Sequence, residues 1–193
     1  MLKHPVVFAQ KDSYYEFYKG FNSQDNKTFS FWCDAISSIS ESFATESEQL
    51  KFKGDNLEVL SEIFFNCFHA DEAVGLREYT PTPLDEDYGV DATGINPAGT
   101  RCAVQCKFKS FQPVSYEELA KTFASGFLTM SCEVTKPNSI YVFTNSMTHT
   151  NAIDKVLGNR VRFIDYNVIV RKIDNNHTFW QYAYDEIFNT LNQ

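Results

Sequence analysis

Apolar and polar residues alternate with a period of two through Ala103-Val104-Gln105-Cys106-Lys107-Phe108-Lys109. The pattern predicts a β-strand that turns Gln105, Lys107 and Lys109 to one face and Val104, Cys106 and Phe108 to the other. Upstream the period lengthens. Leu57, Leu60, Phe64 and Phe68 recur at three- and four-residue steps and predict an amphipathic helix that opens near Gly54. Glu58 and Glu62 lie one turn apart beside its apolar stripe, where a carboxylate can reach across to a sheet. Residues 75–82 read as a first strand that ends at Pro81 and Pro83. Asp85-Glu86-Asp87-Tyr88-Gly89 reads as a turn that delivers Val90 and Asp91 into a second strand, and Asn96-Pro97-Ala98-Gly99 is a hairpin signal.

Beyond the third strand, Ser115 followed by Glu118 is a capping-box start for a helix running to Leu128. Residues 139–145 form a buried-strand pattern. A short helix at 150–157, strands at 161–165 and 167–173, and a C-terminal helix from Asp185 to Leu191 complete the expected order. Helix, three-strand meander, helix and further strands predict an α/β fold with a central mixed β-sheet flanked by helices. Residues 1–50 stand apart as an N-terminal helical appendage. Their aromatic clusters at 14–18 and 29–32 and the Ser-rich pattern from Ile36 to Phe43 predict about two helices packed on a main domain of residues 51–193.

Composition narrows the setting. A chain of 193 residues with 43% hydrophobic and 16% aromatic content buries one full core. The sequence holds no apolar run long enough to span a bilayer, and Met-Leu-Lys-His-Pro lacks a signal-peptide core. The expectation is a cytoplasmic protein, in a bacterium or in the host cell of a virus or mobile element, neither secreted nor in a membrane. Cysteines 33, 67, 102, 106 and 132 lack metal-ligand spacing, so reduced thiols are expected rather than a zinc site. His69, His149 and His177 are isolated in sequence, against a histidine-ligated metal. The net charge of -8 argues against bulk electrostatic coating of nucleic acid. Residues 1–100 carry 7 Lys/Arg against 17 Asp/Glu (-10), and residues 101–193 carry 10 against 8 (+2). The first half therefore supplies acids, and any phosphate-facing surface is expected from the second.

Chemistry concentrates where Gly89-Val90-Asp91 is followed, after thirteen residues, by Gln105-Cys106-Lys107. An amide and an ammonium exposed on one strand beside an incoming carboxylate suit metal-assisted phosphodiester cleavage. Carboxylates hold a hard divalent cation, which lowers the pKa of a water, and a nearby lysine neutralises the developing oxyanion.

At these residues the sequence resembles the PD-(D/E)XK nuclease superfamily, in its Mrr-like restriction-endonuclease branch, where Gln-x-Lys replaces the acid-x-Lys triplet. Gly54, Leu57 and Glu58 resemble the family's first helix, and Gly89-Val90-Asp91 its Gly-Val-Asp. Val142-Phe143-Thr144-Asn145 resembles its later strand, and Asn151-Ala152 the helix start after it. The resemblance covers residues 54–175. It implies a restriction-endonuclease-like core and a magnesium- or manganese-dependent deoxyribonuclease. Asp91 would be the principal metal ligand, Glu58 a second acid, Gln105 an orienting or ligating amide, and Lys107 the water-activating cation. The acidic turn at 85–87 leaves open which acids bind metal.

The implied partner is DNA. Lys109 and Lys121 are candidate phosphate contacts, with Arg160, Arg162, Arg171 and Lys172 as a candidate rim. Double-strand cuts need two active sites, so the expectation divides between a homodimer and a nicking activity. Fusion to or association with a helicase-type partner would supply DNA loading. The alternative reading is a catalytically weak nuclease fold kept as a DNA-binding or protein-docking module.

Overall fold

The computed structural model describes residues 2–5, 11–83, 89–109 and 112–192, with the side chains of 11–13 excepted; the expected acidic turn at 85–88 lies outside them. Among the described residues, two long aromatic helices precede the sheet, α1 (Lys11–Asn22) and α2 (Phe29–Ser40). The long α3 (Glu46–Cys67) follows, opened by a capping box in which Thr45 accepts from the Glu48 amide and Glu48 returns a bond to the Thr45 amide. That cap starts the helix ahead of Gly54, so the expected opening at Gly54 is corrected, and the boundary drawn at 50/51 falls inside one helix.

Five strands form a single sheet in the order β1 (Arg77–Pro81), β2 (Ala92–Ile95), β3 (Arg101–Lys107), β4 (Ile140–Thr144), β5 (Val161–Ile164). The first three pair antiparallel, as the meander predicts, and β3–β4 and β4–β5 pair parallel. Asn96 and Gly99 (φ +82) close the β2–β3 hairpin, where the Gly99 amide donates to the Asn96 carbonyl at 2.9 Å. The β3–β4 crossover carries α4 (Tyr116–Leu128), started by the Ser115/Glu118 capping box. The β4–β5 crossover carries the short α5 (Asn151–Val156). All five residues of β4 are buried, as a parallel strand covered on both faces requires.

Residues 167–173, expected as a strand, are instead part of α6 (Tyr166–Ile173). Asp165 caps it by accepting from the Val168 amide at 2.9 Å, and Ile169 and Ile173, four apart, are fully buried on one side. Cap and one-sided burial override the strand preference of Val168-Ile169-Val170. The last helix, α7 (His177–Leu191), starts earlier than expected because the Asn176 side chain caps it.

The sheet divides two cores. On one face Cys102, Val104, Cys106, Tyr141 and Phe143 pack against α3, α6 and α7. Tyr14, Tyr18, Phe21, Phe29, Trp32 and Ile36 of α1 and α2 belong to that same cluster, so the aromatics of residues 14–32 pack inward. Phe64 sits at its centre, with ring centroids 4.9 Å from Phe68 and 5.3 Å from Phe143. Trp180 ties α7 to its surroundings by donating to the Ile173 and Lys27 carbonyls at 2.9 and 3.1 Å. On the other face Ala103 and Val142 pack against α4 and α5 through Leu119 and Ile153. No helix among the described residues is long and apolar enough to cross a membrane.

Candidate functional site

Asp91 stands immediately before β2. Its amide donates to the Val104 carbonyl at 2.9 Å, and its carbonyl accepts from the Thr82 amide at 2.9 Å, so the backbone is held between β1 and β3. The carboxylate then faces the far end of β3. Oδ2 accepts from the Cys106 amide at 2.6 Å and from Gln105 Nε2. The hairpin spacing brings Asp91 and Gln105 together because the Ala92–Val104 pairing sets them side by side.

Gln105 points toward α4, on the face the alternation predicts, but it is buried and not exposed as expected, because α4 covers that face. Its Oε1 lies 2.5 Å from Thr122 Oγ1, which also lies 2.6 Å from the Gly89 carbonyl. A threonine hydroxyl carries one hydrogen, so it serves one of these two acceptors at a time. Gly89 adopts φ +84, and a Cβ there would come within 2.9 Å of the Lys121 side chain; the tight approach of this loop to α4 needs glycine. Lys107 follows on the same strand face, partly exposed, with no ion pair among the described residues. Lys109, one step further, pairs with Glu118 at 2.8 Å, so this candidate phosphate contact is already engaged. Burial pushes the Glu118 carboxyl up, but Lys109 and the Ser115 amide outweigh it and hold the group below its ordinary value.

Glu58 lies on α3, across the sheet from α4. It lines a cleft of about 120 Å³ with Asp91, His4, Lys51, Asp55 and Thr82. The structure thus gathers Glu58 and Asp91 in one cleft and bonds Gln105 to Asp91 from behind; Lys107 does not line that cleft. Glu62, the rival acid, is buried and accepts from the amides of Lys3 and His4 at 2.7 and 3.0 Å. Burial raises its pKa against those two bonds. Asp55 accepts both its bonds from Lys51 at 2.9 Å, and burial pushes its pKa up despite that lysine.

Three site residues escape a reading of the sequence. Asp55 sits three residues before Glu58, a spacing that shares a helix face and was the available signal. Thr122 and His4 carry no such mark, being placed by tertiary packing alone. Cys106 does not serve as a nucleophile. Burial pushes its thiol pKa well up, Asp91 and Glu58 add to the effect, and Sγ donates to Ser61 Oγ at 3.3 Å. A larger cavity of about 340 Å³, lined by α2 and by residues just beyond β3 and β4, among them Cys33, Phe108 and Asn145, holds none of the four expected site residues.

No protein-family model matches this sequence, and no curated protein matches it. Among solved structures it is similar to the MspJI restriction endonuclease in complex with a 27-mer oligonucleotide, at a TM-score of 0.45 and 13% identity. That alignment covers 83% of this chain and 35% of the other, so the chain spans about a third of that neighbour's length.

Proposed function

We propose that the protein is a metal-dependent DNA endonuclease that hydrolyses phosphodiester bonds, of the Mrr-like PD-(D/E)XK kind that its sequence resembles. The observation that carries the reading is the meeting of Asp91 and Glu58 in one cleft with the Gln105 amide bonded to Asp91.

The hydrogen bonds around Gln105 test whether a cation fits. The Thr122 hydroxyl has one hydrogen for two oxygens at hydrogen-bond distance, the Gly89 carbonyl and Gln105 Oε1. Turning the amide over gives Nε2 to Thr122 Oγ1 and the Thr122 hydrogen to Gly89, but sets Oε1 against Asp91 Oδ2. Two oxygens with no proton between them repel, unless a cation is shared between them. Mg2+ or Mn2+ would be held by the Asp91 and Glu58 carboxylates with Gln105 as the ligating or orienting amide, the hard oxygen donors these ions favour. Bound there, the ion supplies a water of lowered pKa and shields the charge gathering on the phosphate. Lys107 lies two residues past Gln105, roughly 6.6 Å along the strand. Its ammonium neutralises the phosphate oxyanion and orients the water.

The test is plasmid cleavage with Mg2+ or Mn2+, comparing the native chain with Asp91→Ala and Lys107→Ala. Both variants are expected to lose cleavage by at least about a hundredfold; cleavage that survives both overturns the assignment. A second reading, a nuclease fold kept for DNA binding or protein docking, draws on two observations. Among the described residues no three His, Cys, Asp or Glu side chains gather closely enough to hold a metal, and Lys107 lies outside the cleft. Calorimetric titration with Mn2+ separates the two, because a silent module shows no binding that depends on Asp91.

A further inference from the structure

Residues 2–4 run along the acidic cleft and are pinned there. The Leu2 amide donates to Thr190 Oγ1 on α7 at 3.0 Å. The next two amides, of Lys3 and His4, donate to the two separate oxygens of Glu62 at 2.7 and 3.0 Å. One carboxylate taking consecutive amides fixes both the position and the direction of the chain. His4 is consequently buried, 2% exposed, and its Nε2 lies 3.0 Å from Glu58 Oε2. Glu58 and Glu62 are four residues apart, so one face of α3 carries both the clamp and the group that the clamped residue reaches.

We propose that His4 is a positioning residue of this cleft: the pinned segment uses its imidazole to hold the Glu58 carboxylate beside Asp91, ready to share a divalent cation. The inference rests on the nuclease reading above and assigns it a residue from outside the region of family resemblance. A glutamate side chain rotates about three bonds, and a ligand that must be ordered on binding weakens the binding. His4 orders Glu58 in advance, as the outer partners of metal ligands generally do. The opposite role, a strap that masks Glu58 until it leaves, fits the anchoring poorly. Departure would strip two hydrogen bonds from the buried Glu62 carboxylate and pull the 3%-exposed Leu2 out of the core.

The experiment is calorimetric titration of the full chain with Mn2+, alongside metal-free thermal melting. His4→Ala is expected to weaken Mn2+ binding roughly tenfold, the lower end for removing a group that orients a ligand. His4→Gln, which keeps a side-chain N–H, is expected to stay near the native value. A purely structural role would lower the melting temperature of His4→Ala and leave its Mn2+ affinity unchanged, which overturns the proposal. Tighter binding in His4→Ala, the signature of a mask, overturns it too. If His4→Ala does not fold, His4→Phe keeps the ring without its nitrogens and carries the same test. Asp91→Asn separates the levels. If it loses Mn2+ while His4→Ala does not, only the role of His4 fails; if it binds as the native chain does, the metal site and the proposal fall together.

Discussion

Replacing Thr122 by Val removes one hydroxyl from the inside of the site while keeping the side chain's volume. Thr122 is fully buried, and so, nearly, is Gln105, so no water replaces the lost donor. The hydroxyl stands 2.6 Å from the Gly89 carbonyl and 2.5 Å from Gln105 Oε1, and after the change both acceptors lack it. The hydroxyl carries one hydrogen, so the net loss is one buried hydrogen bond. That amounts to about 1–3 kcal/mol. Taking about 2 kcal/mol and a urea dependence of about 2–3 kcal/mol per molar, the unfolding midpoint falls by about 0.7–1 M. Thr129 serves as control: it is exposed, its hydroxyl bonds the Ser125 carbonyl at 2.6 Å, and its change to Val is expected to cost less than about 0.5 kcal/mol. Urea titrations followed by circular dichroism measure both. If Thr122→Val proves as stable as the native chain while Thr129→Val behaves as expected, the Thr122 hydroxyl does not tie Gly89 to Gln105.

Two further outcomes follow from the fold. Trp32 is fully buried and stacks on Phe29 at 5.9 Å, so Trp32→Ala is expected to cost about 3–5 kcal/mol. Because α1 and α2 share the core of α3 and α7, the fluorescence of Trp180, then the only tryptophan, should change in the same transition as the circular dichroism; a separate early transition would contradict the shared core. Asp71 accepts from Lys172 Nζ at 2.5 Å, and that bond holds its carboxyl below its ordinary value of 3.8, helped by the Ala73 and Val74 amides. A depressed folded pKa stabilises the protein above the unfolded value and loses that contribution as pH falls through the folded one. Asp71→Asn is therefore expected to flatten the loss of stability below pH 4 and, the pair being partly exposed, to cost under about 1 kcal/mol at pH 7; an unchanged acid slope in urea titrations contradicts this.

What could be read from the chain followed local rules. Period-two alternation in β3, the Ser115/Glu118 cap and the Asn96–Gly99 hairpin each depend on neighbours within a few residues, and each forms as expected. The adjacency of Asp91 and Gln105 was legible too, because a hairpin converts sequence spacing into register. Failures came where tertiary contacts decide. The β-branched run in α6 reads as a strand until Asp165 and the burial of Ile169 and Ile173 are known. The aromatics of residues 1–50 pack on the main domain as expected, but nothing in their sequence shows that His4 reaches Glu58 from 54 residues away. Nothing local distinguishes Glu58 from Glu62. Their difference lies in what faces them: a cleft for one, two backbone amides for the other.

The nuclease reading stands on a divalent cation bound beside Asp91. Anomalous diffraction from crystals grown with Mn2+ addresses it most directly. One strong peak is expected beside the Asp91 carboxylate, within reach of the Gln105 amide and the Glu58 carboxylate. Crystals with Mn2+ in the solvent but no peak there, and Gln105 Nε2 still against Asp91, would contradict it.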